Sequence, residues 1–218
     1  MLKSTLTKVF TTLCLFHITL NATNPQSLGT RSSLQADSPI YNLGDYAEGG
    51  VIFYLTPDGQ HGLVASIVDM TDGFGNYELP WDTIYSLFVT IGAKADFITF
   101  GEKYTTGGKI NTNLIVKTYG TWPNYAAGAC VNYSHDIDGK TYNDWYLPCL
   151  AELGLMREMK ETINSISVAH GGTAIQTNIY WSSVETLNVT AWCQDFDGVS
   201  QLYRIKADHH RVRAVRAF

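Results

Sequence analysis

Residues 49–65 read GGVIFYLTPDGQHGLVA, and this stretch indicates how the folded part of the chain begins. Aromatic and β-branched residues fill Val51–Leu55, and a second apolar run covers Leu63–Ala65. The sequence Pro57-Asp58-Gly59 between them is a turn signal. Two such runs around a short turn predict a β-hairpin. We therefore expect a domain over residues 45–218 that opens with two antiparallel strands.

The rest of that domain mixes helical and strand patterns. Apolar residues recur at helical spacing over 109–118 and 122–133, and a third helix is predicted from Cys149 to about residue 164, with Glu152 completing a capping box. Runs rich in aromatic and β-branched residues then predict strands at 180–183, 190–196, 201–206 and 211–218. The fold class that this order predicts is α+β, an antiparallel sheet with two flanking helices and long loops.

The N-terminal residues follow a different pattern. Lys3 and Lys8 precede a mostly apolar run, Val9–Leu20, which is followed by a plausible cleavage site. This pattern predicts a signal peptide over residues 1–22, since the apolar run is shorter than the about 20 residues of a membrane span. Residues 23–44 are rich in polar residues and predict a flexible leader. The protein is expected to be exported, as a secreted, periplasmic or cell-surface protein without membrane insertion.

The net charge argues against nucleic acid as a partner. The chain has 15 basic and 20 acidic residues, a net charge of −5, and removal of Lys3 and Lys8 with the signal peptide lowers it to −7. Basic residues nevertheless concentrate near the C-terminus. If their strands are neighbours, four cations would form a ladder suited to sulfate or carboxylate groups, and these are the candidate ligand-binding residues: Arg204, Lys206, Arg211 and Arg213. The alternative is that the arginines pair with the protein's own carboxylates.

Three cysteines remain after export: Cys130, Cys149 and Cys193. One disulfide and one free thiol are the most that a monomer allows, and the sequence does not choose among the pairings. Cys149 at a helix N-terminus is also a candidate nucleophile, with His170 as a partner, because the helix dipole lowers a thiol pKa there. The commoner fate of a cysteine in an exported domain is burial or a disulfide, so we predict that the protein is not an enzyme.

Metal and cofactor signals are weak. Residues 136–139, DIDG, resemble the start of a calcium loop, but position twelve of that loop is Leu147 where a bidentate Glu is required. A solvated turn is the alternative. The histidines show no paired ligand spacing, so no zinc site is expected. We therefore predict no cofactor, with calcium as the minor alternative.

A series of short motifs, in order, resembles the C-terminal domain of bacterial collagen-like adhesins and its stand-alone relatives. The resemblance covers about residues 45–218. The motifs that carry it are Gly49–Tyr54, Gly59–Ala65, Asn113–Val116, Ala126-Ala127 with Cys130, Asn143–Pro148 with Glu152-Leu153, Tyr180–Ser183, Ala191-Trp192 and Val212–Arg216.

The resemblance implies a C-type-lectin-like fold in which the first and last strands pair and long loops carry binding. It also implies an adhesin that recognises host-surface glycans, including glycosaminoglycans and other sulfated polysaccharides, and that assembles as a trimer. This chain lacks the collagen repeats that drive the trimer. Cys149 stands where the family usually has Ser or Thr, and Ala214 where it often has Cys, which leaves Cys193 as an alternative disulfide partner for Cys130 or Cys149.

The sequence leaves two alternative functions open, a protein-binding module and a cysteine-dependent enzyme. Lectin-like modules also bind proteins through the same loops. The formylglycine-generating oxidases share the fold, and their Leu-Pro and Glu at a helix start resemble Leu147-Pro148 and Glu152, but Cys193 alone does not supply their late cysteine pair. Together with Glu152, three tryptophans are expected to be fold determinants: Trp145, Trp181 and Trp192.

Overall fold

A computed structural model describes residues 40–83, 90–99 and 105–218. The predicted signal peptide and residues 23–39 of the predicted leader lie outside the described residues. Residues 40–44 contact the domain: the Gly44 N–H donates to Ile52 O (2.8 Å), and the Tyr41 ring packs edge-on against Phe218, with ring centroids 5.1 Å apart. Contacts with the domain therefore start ahead of residue 45.

The described residues form strands and helices in mixed order, so the domain is α+β. The strands are β1 (Tyr46–Ala47), β2 (Gly50–Leu55), β3 (Gly62–Asp69), β4 (Glu78–Leu79), β5 (Ile98–Thr99), β6 (Thr105–Thr106), β7 (His135–Ile137), β8 (Lys140–Tyr142), β9 (Ile179–Leu187), β10 (Thr190–Asp195), β11 (Gln201–Ile205), β12 (His210–Arg211) and β13 (Arg213–Ala217). The helices are α1 (Gly107–Tyr119), α2 (Ala126–Asn132), α3 (Leu150–Glu158) and α4 (Lys160–Ala169).

The first sheet has the order β1-β2-β3-β13 and is antiparallel. The predicted hairpin is confirmed, since β2 pairs with β3 with Val51 opposite Ala65. The last strand, β13, lies on the other side of β3, and Val215 also pairs with Ala65. The central strand β3 is buried almost throughout, and its sequence is accordingly mostly apolar on both faces rather than alternating.

The second sheet has the order β11-β10-β9-β12-β4. Its strands are antiparallel except that β12 runs parallel to β9, with Arg211 opposite Tyr180. The predicted strand over 211–218 is therefore two strands in different sheets. The break falls at Val212, whose carbonyl accepts a hydrogen bond from the Met70 N–H (2.8 Å) between the two sheets.

The helices follow local signals, with two corrections. α1 begins after Thr106, whose hydroxyl accepts a hydrogen bond from Lys109 N (3.3 Å). The described residues form four helices where two flanking helices are expected: the sequence pattern itself predicts three helical segments, and the one predicted from Cys149 divides at Met159 into α3 and α4. The helix predicted over 122–133 starts only at Ala126, since Tyr125 has extended backbone angles.

Three tryptophans are buried together in the larger of the core clusters. Trp81, Trp145 and Trp181 are at most 2% exposed, and Trp192 is partly buried against α3. Glu152 is fully buried and accepts hydrogen bonds from Cys149 N (2.7 Å) and the Tyr146 hydroxyl (2.8 Å). Their burial confirms the predicted structural role of Trp145, Trp181 and Glu152. In the described part of the chain, no helix is long and apolar enough to cross a membrane.

Candidate functional site

Residues 70–77 connect β3 to β4 and form a loop with internal hydrogen bonds. The Asp72 carboxylate accepts hydrogen bonds from Phe74 N (2.8 Å), Asn76 N (3.1 Å) and Asn76 Nδ2 (2.6 Å). The Asn76 side-chain hydrogen bond is the main cause that lowers the pKa of Asp72. The Asp72 carboxylate thus holds the two ends of this turn together through hydrogen bonds within the loop.

The C-terminal end of this loop is anchored to the second sheet by two buried indoles. Trp181 Nε1 donates to Leu79 O (2.8 Å), and Trp81 Nε1 donates to Ser182 O (2.8 Å). Each indole N–H therefore donates a hydrogen bond to a backbone carbonyl close in sequence to the other tryptophan. Both N–H groups are thus satisfied inside the core. The loop is held on a rigid base.

Three cavities surround the loop, and we call the surface that carries them the loop face. The polar cavity has a volume of about 260 Å³ and is lined by Asp72, Asn76, Glu78, Leu79, Pro80, Asp82, Thr83, Asn124, Ala207 and His209. The apolar cavity has a volume of about 410 Å³ and is lined by Val68, Asp69, Met70, Thr71, Gly73, Tyr77, Pro123, Ala129, Asn132 and Tyr133. The open groove, about 550 Å³, is lined by Gly75, Asn76, Tyr77, Glu78, His209 and Arg211.

The three cavities are joined by shared residues. Asn76, Glu78 and His209 line both the polar cavity and the open groove, and Tyr77 lines both the open groove and the apolar cavity. Residues 123–124 close the opposite side, with Pro123 in the apolar cavity and Asn124 in the polar one. One extended ligand is therefore able to contact more than one cavity.

Exposed aromatic side chains lie on two of the three segments that form the loop face, residues 70–83 and 122–124, and the third segment is residues 207–211. Phe74 is 92% exposed, Trp122 67% and Tyr77 44%. Exposed aromatic rings next to concave polar surface are typical of binding sites rather than of ordinary surface. The loop face thus combines flat apolar rings with carboxylate and amide groups.

A buried ion-pair cluster lies behind the loop face. Asp69 Oδ2 accepts hydrogen bonds from Arg211 Nη1 and the Tyr180 hydroxyl (both 2.9 Å), and Asp69 Oδ1 lies 2.8 Å from Arg213 Nε. Arg213 also donates to Ser66 O and Thr173 O (both 3.0 Å) and is fully buried. This cluster joins β3, β9, β12 and β13 across the two sheets.

The four predicted ligand-binding cations do not form a ladder, so that geometric prediction is wrong. β11, which contains Arg204, is separated from β12 by two strands, and Arg213 belongs to the other sheet. Lys206 is buried, 2.6 Å from Glu185 Oε1 and above the Trp81 ring. Arg211 reaches the loop face, where its guanidinium lies over the Tyr77 ring, but it is already bound to Asp69.

The three described cysteines are buried free thiols, so none of the three possible disulfides is formed. Burial raises the pKa of Cys130, Cys149 and Cys193. For Cys149 the nearby Glu152 carboxyl raises the pKa further, and the predicted lowering at the helix N-terminus is wrong. The geometry gives Cys149 none of the exposure or positive surroundings that activate a thiol.

The candidate calcium loop is a β-hairpin. β7 pairs with β8, and the turn between them places Asp138 and Gly139 at positive φ (51° and 79°), as a tight hairpin turn requires. Asp144 binds Arg216, with Oδ1 2.6 Å from Nε. Within residues 40–83, 90–99 and 105–218, no group of three or more His, Cys, Asp or Glu side chains is arranged to hold a metal ion.

Sequence reasoning missed most of the loop face. The sequence patterns predict no binding role for residues 67–105. Aromatic residues placed beside glycine and asparagine, as in DGFGNY over 72–77, are the signal that marks this segment. The segment's partner, residues 122–124, carries no such local signal.

No protein-family model matches the sequence, and no curated protein matches it either. Among solved structures, it is similar to a fimbrial protein from Bacteroides ovatus ATCC 8483, with a TM-score of 0.41 and 15% sequence identity. The match covers 71% of this chain and 35% of that protein, so the chain spans about a third of its length.

Proposed function

We propose that this chain is an exported, adhesin-like binding protein with a C-type-lectin-like domain whose loop face binds a glycan. The observation that carries the proposal is the joined set of cavities, lined by carboxylates and amides and flanked by exposed aromatic rings. The resemblance to the collagen-like adhesin domain and the predicted signal peptide support it. No catalytic group is needed, and the geometry of Cys149 favours a binding role over an enzyme.

The chemistry of the loop face suits a sugar. A pyranose ring has an apolar face of C–H groups that packs on a flat aromatic ring, and Tyr77 and Trp122 offer such rings. Its hydroxyls donate and accept at once, so they bind both carboxylates, which only accept, and amides, which do both. Asp72, Glu78 and Asn124 supply these groups in the polar cavity.

The charge of the polar cavity favours a neutral glycan over a sulfated one. Asp72, Glu78 and Asp82 line it together, and His209 is its one residue with a basic side chain. Sulfate groups would be repelled by these carboxylates, since like charges close together oppose binding. We therefore propose that the loop face binds uncharged host-surface glycans rather than glycosaminoglycans.

The test is a glycan array probed with the purified full chain, followed by calorimetry on the glycans that bind. Tyr77→Ala removes a ring that lines two cavities and is expected to weaken binding at least tenfold. Tyr203→Ala is the matched control, because Tyr203 is an exposed ring (59%) that lines none of the three cavities. Equal effects of the two variants, or no bound glycan, would refute the proposal.

A protein-binding module is the second candidate. β11 is the outermost strand of the second sheet, and Tyr203 and Ile205 are both more than half exposed on it. Such an edge is able to pair with a strand of another protein. If Tyr203→Ala, and not Tyr77→Ala, lowers binding to enzymatically deglycosylated host cells, this second function replaces the first.

A further inference from the structure

The apolar cavity differs in chemistry from the polar cavity. Its exposed lining is mostly apolar, whereas that of the polar cavity is mostly polar. The partly exposed Val68 and Pro123 and the buried Met70 and Ala129 contribute to it, and Tyr77 joins it to the open groove. A sugar hydroxyl placed in this cavity would lose water without gaining a partner. The cavity therefore suits an apolar group of the ligand whose sugar lies next to it.

The polar side chains on the cavity wall are turned towards the protein itself. Asp69 Oδ1 and the Tyr133 hydroxyl are buried, so neither oxygen is open to a ligand. Tyr133 as a whole is partly exposed, and its ring carbons are therefore the part that a ligand meets. Asn132 Nδ2 donates hydrogen bonds to two backbone carbonyls, Thr121 O and Gly128 O. These contacts make the wall more apolar than its residue types indicate.

Exposed aromatic rings lie beside this cavity on two neighbouring loops. Gly73 and Pro123 both line the cavity, and a Cβ at Gly73 would lie 3.9 Å from Pro123 Cγ, so the two loops are in contact. Phe74 follows Gly73 in the chain, Trp122 precedes Pro123, and both rings are more than half exposed. Apolar surface therefore continues from the cavity into solvent, as an apolar group longer than the cavity requires.

We propose that the loop face binds a neutral glycolipid, an inference that rests on the proposed glycan-binding function. The sugar occupies the polar cavity and the open groove, and the first methylene groups of the lipid chain enter the apolar cavity. The chain packs on Val68 and Pro123, and Phe74 and Trp122 lie beside the carbons that follow. The headgroup is uncharged because carboxylates line the polar cavity.

The experiment compares ligands that differ only in their apolar group. Methyl and octyl β-glycosides of glucose, galactose and N-acetylglucosamine form three pairs, and calorimetry with the full chain measures them below the micelle concentration. Each buried methylene adds to the affinity, so the octyl member is expected to bind at least tenfold more tightly in one or more pairs. Octylglycerol, which has the chain but no sugar ring, is expected to bind at least fivefold more weakly than the best octyl glycoside.

Two variants test the residue assignment. Val68→Thr replaces a methyl group on the cavity wall by a hydroxyl of similar size, and the octyl-to-methyl affinity ratio is expected to fall at least threefold. Pro123→Ser alters a second residue of the wall and is expected to lower the ratio as well. Val199→Thr is the matched control, because Val199 is an exposed valine (76%) that lines none of the three cavities. The thermal midpoint of each variant verifies that it is folded.

The outcomes separate this inference from the proposed function. An octyl-to-methyl ratio below three in every pair, or a ratio that the wall variants change no more than Val199→Thr does, overturns the glycolipid inference. Glycan binding that depends on Tyr77 then still stands on the glycan array. Equal binding of octylglycerol and the octyl glycosides overturns the inference, and with a negative array it overturns the proposed function too.

Discussion

Asp69 is the residue on which the two sheets depend. It is 4% exposed and contacts Arg211, Arg213 and Tyr180, which belong to three different strands. Burial of a carboxylate or a guanidinium alone carries a large desolvation penalty. When the two are buried as an ion pair, their mutual attraction offsets part of that penalty. The same residue lines the apolar cavity, so a structural ion pair also forms part of the proposed site.

Removal of this carboxylate is expected to be among the most destabilising single changes. Asp69→Ala leaves Arg213 fully buried without its counter-ion, and the expected loss is about 3–5 kcal/mol in the free energy of unfolding. Urea denaturation measures it. The control is Arg204→Ala, a cation on an edge strand, where a change within about 0.5 kcal/mol is expected. A loss below 1 kcal/mol for Asp69→Ala would contradict the structural role.

Two helical glycines show how the elements are packed. At Gly108, near the start of α1, a Cβ would collide with Glu152 Oε2 and lie 2.9 Å from Cys149 N. The absence of a side chain at Gly108 therefore lets the start of α1 pack directly against the capped start of α3. At Gly154, inside α3, a Cβ would have no heavy atom within 4 Å. The first glycine is required by packing, and the second is not.

Opposite effects of alanine at these glycines are expected. Gly108→Ala forces the two helix starts apart and is expected to lower the free energy of unfolding by about 1–3 kcal/mol. Gly154→Ala gains helix propensity without a clash and is expected to raise it by about 0.5–1 kcal/mol. Thermal and urea unfolding of the matched pair measure both signs. Stabilisation by Gly108→Ala would show that the α1–α3 contact is looser than described.

The elements that sequence reasoning located are those with a local signal. The β2–β3 hairpin, α1 and the capped start of α3 follow from periodicity and turn chemistry within a few residues. The breaks at Met159 and Val212 were missed because the residue pattern continues on both sides. Which sheet a strand joins is decided by pairing with distant strands, and no local pattern encodes that choice.

The candidate site is assembled from parts of the chain that lie far apart in the sequence. The loop face brings residues 70–83 together with 122–124 and 207–211. The sequence shows a cluster of cations, but the tertiary structure determines which of these charges are exposed to solvent. Burial in a low-dielectric interior forces Lys206 and Arg213 onto Glu185 and Asp69, so the charge that remains near the cavities is largely acidic.

This charge distribution predicts how the molecule behaves on immobilised heparin. Two of the four C-terminal cations are buried, Arg211 is bound to Asp69, and the polar cavity is lined by carboxylates. The full chain, with net charge −5, is therefore expected to leave a heparin column at salt below about 0.1 M, where screening is still weak. An uncharged glycan column of equal ligand density is the control.

Retention of the chain on heparin above physiological salt would contradict this expectation, because it requires a focused cationic patch on the surface. Arg204→Ala then identifies its source: loss of retention would place an anionic-polysaccharide site at the β11 edge, away from the three cavities. Early elution, together with binding to neutral glycans that depends on Tyr77, agrees with a site where aromatic rings and acidic groups, rather than arginines, select the ligand.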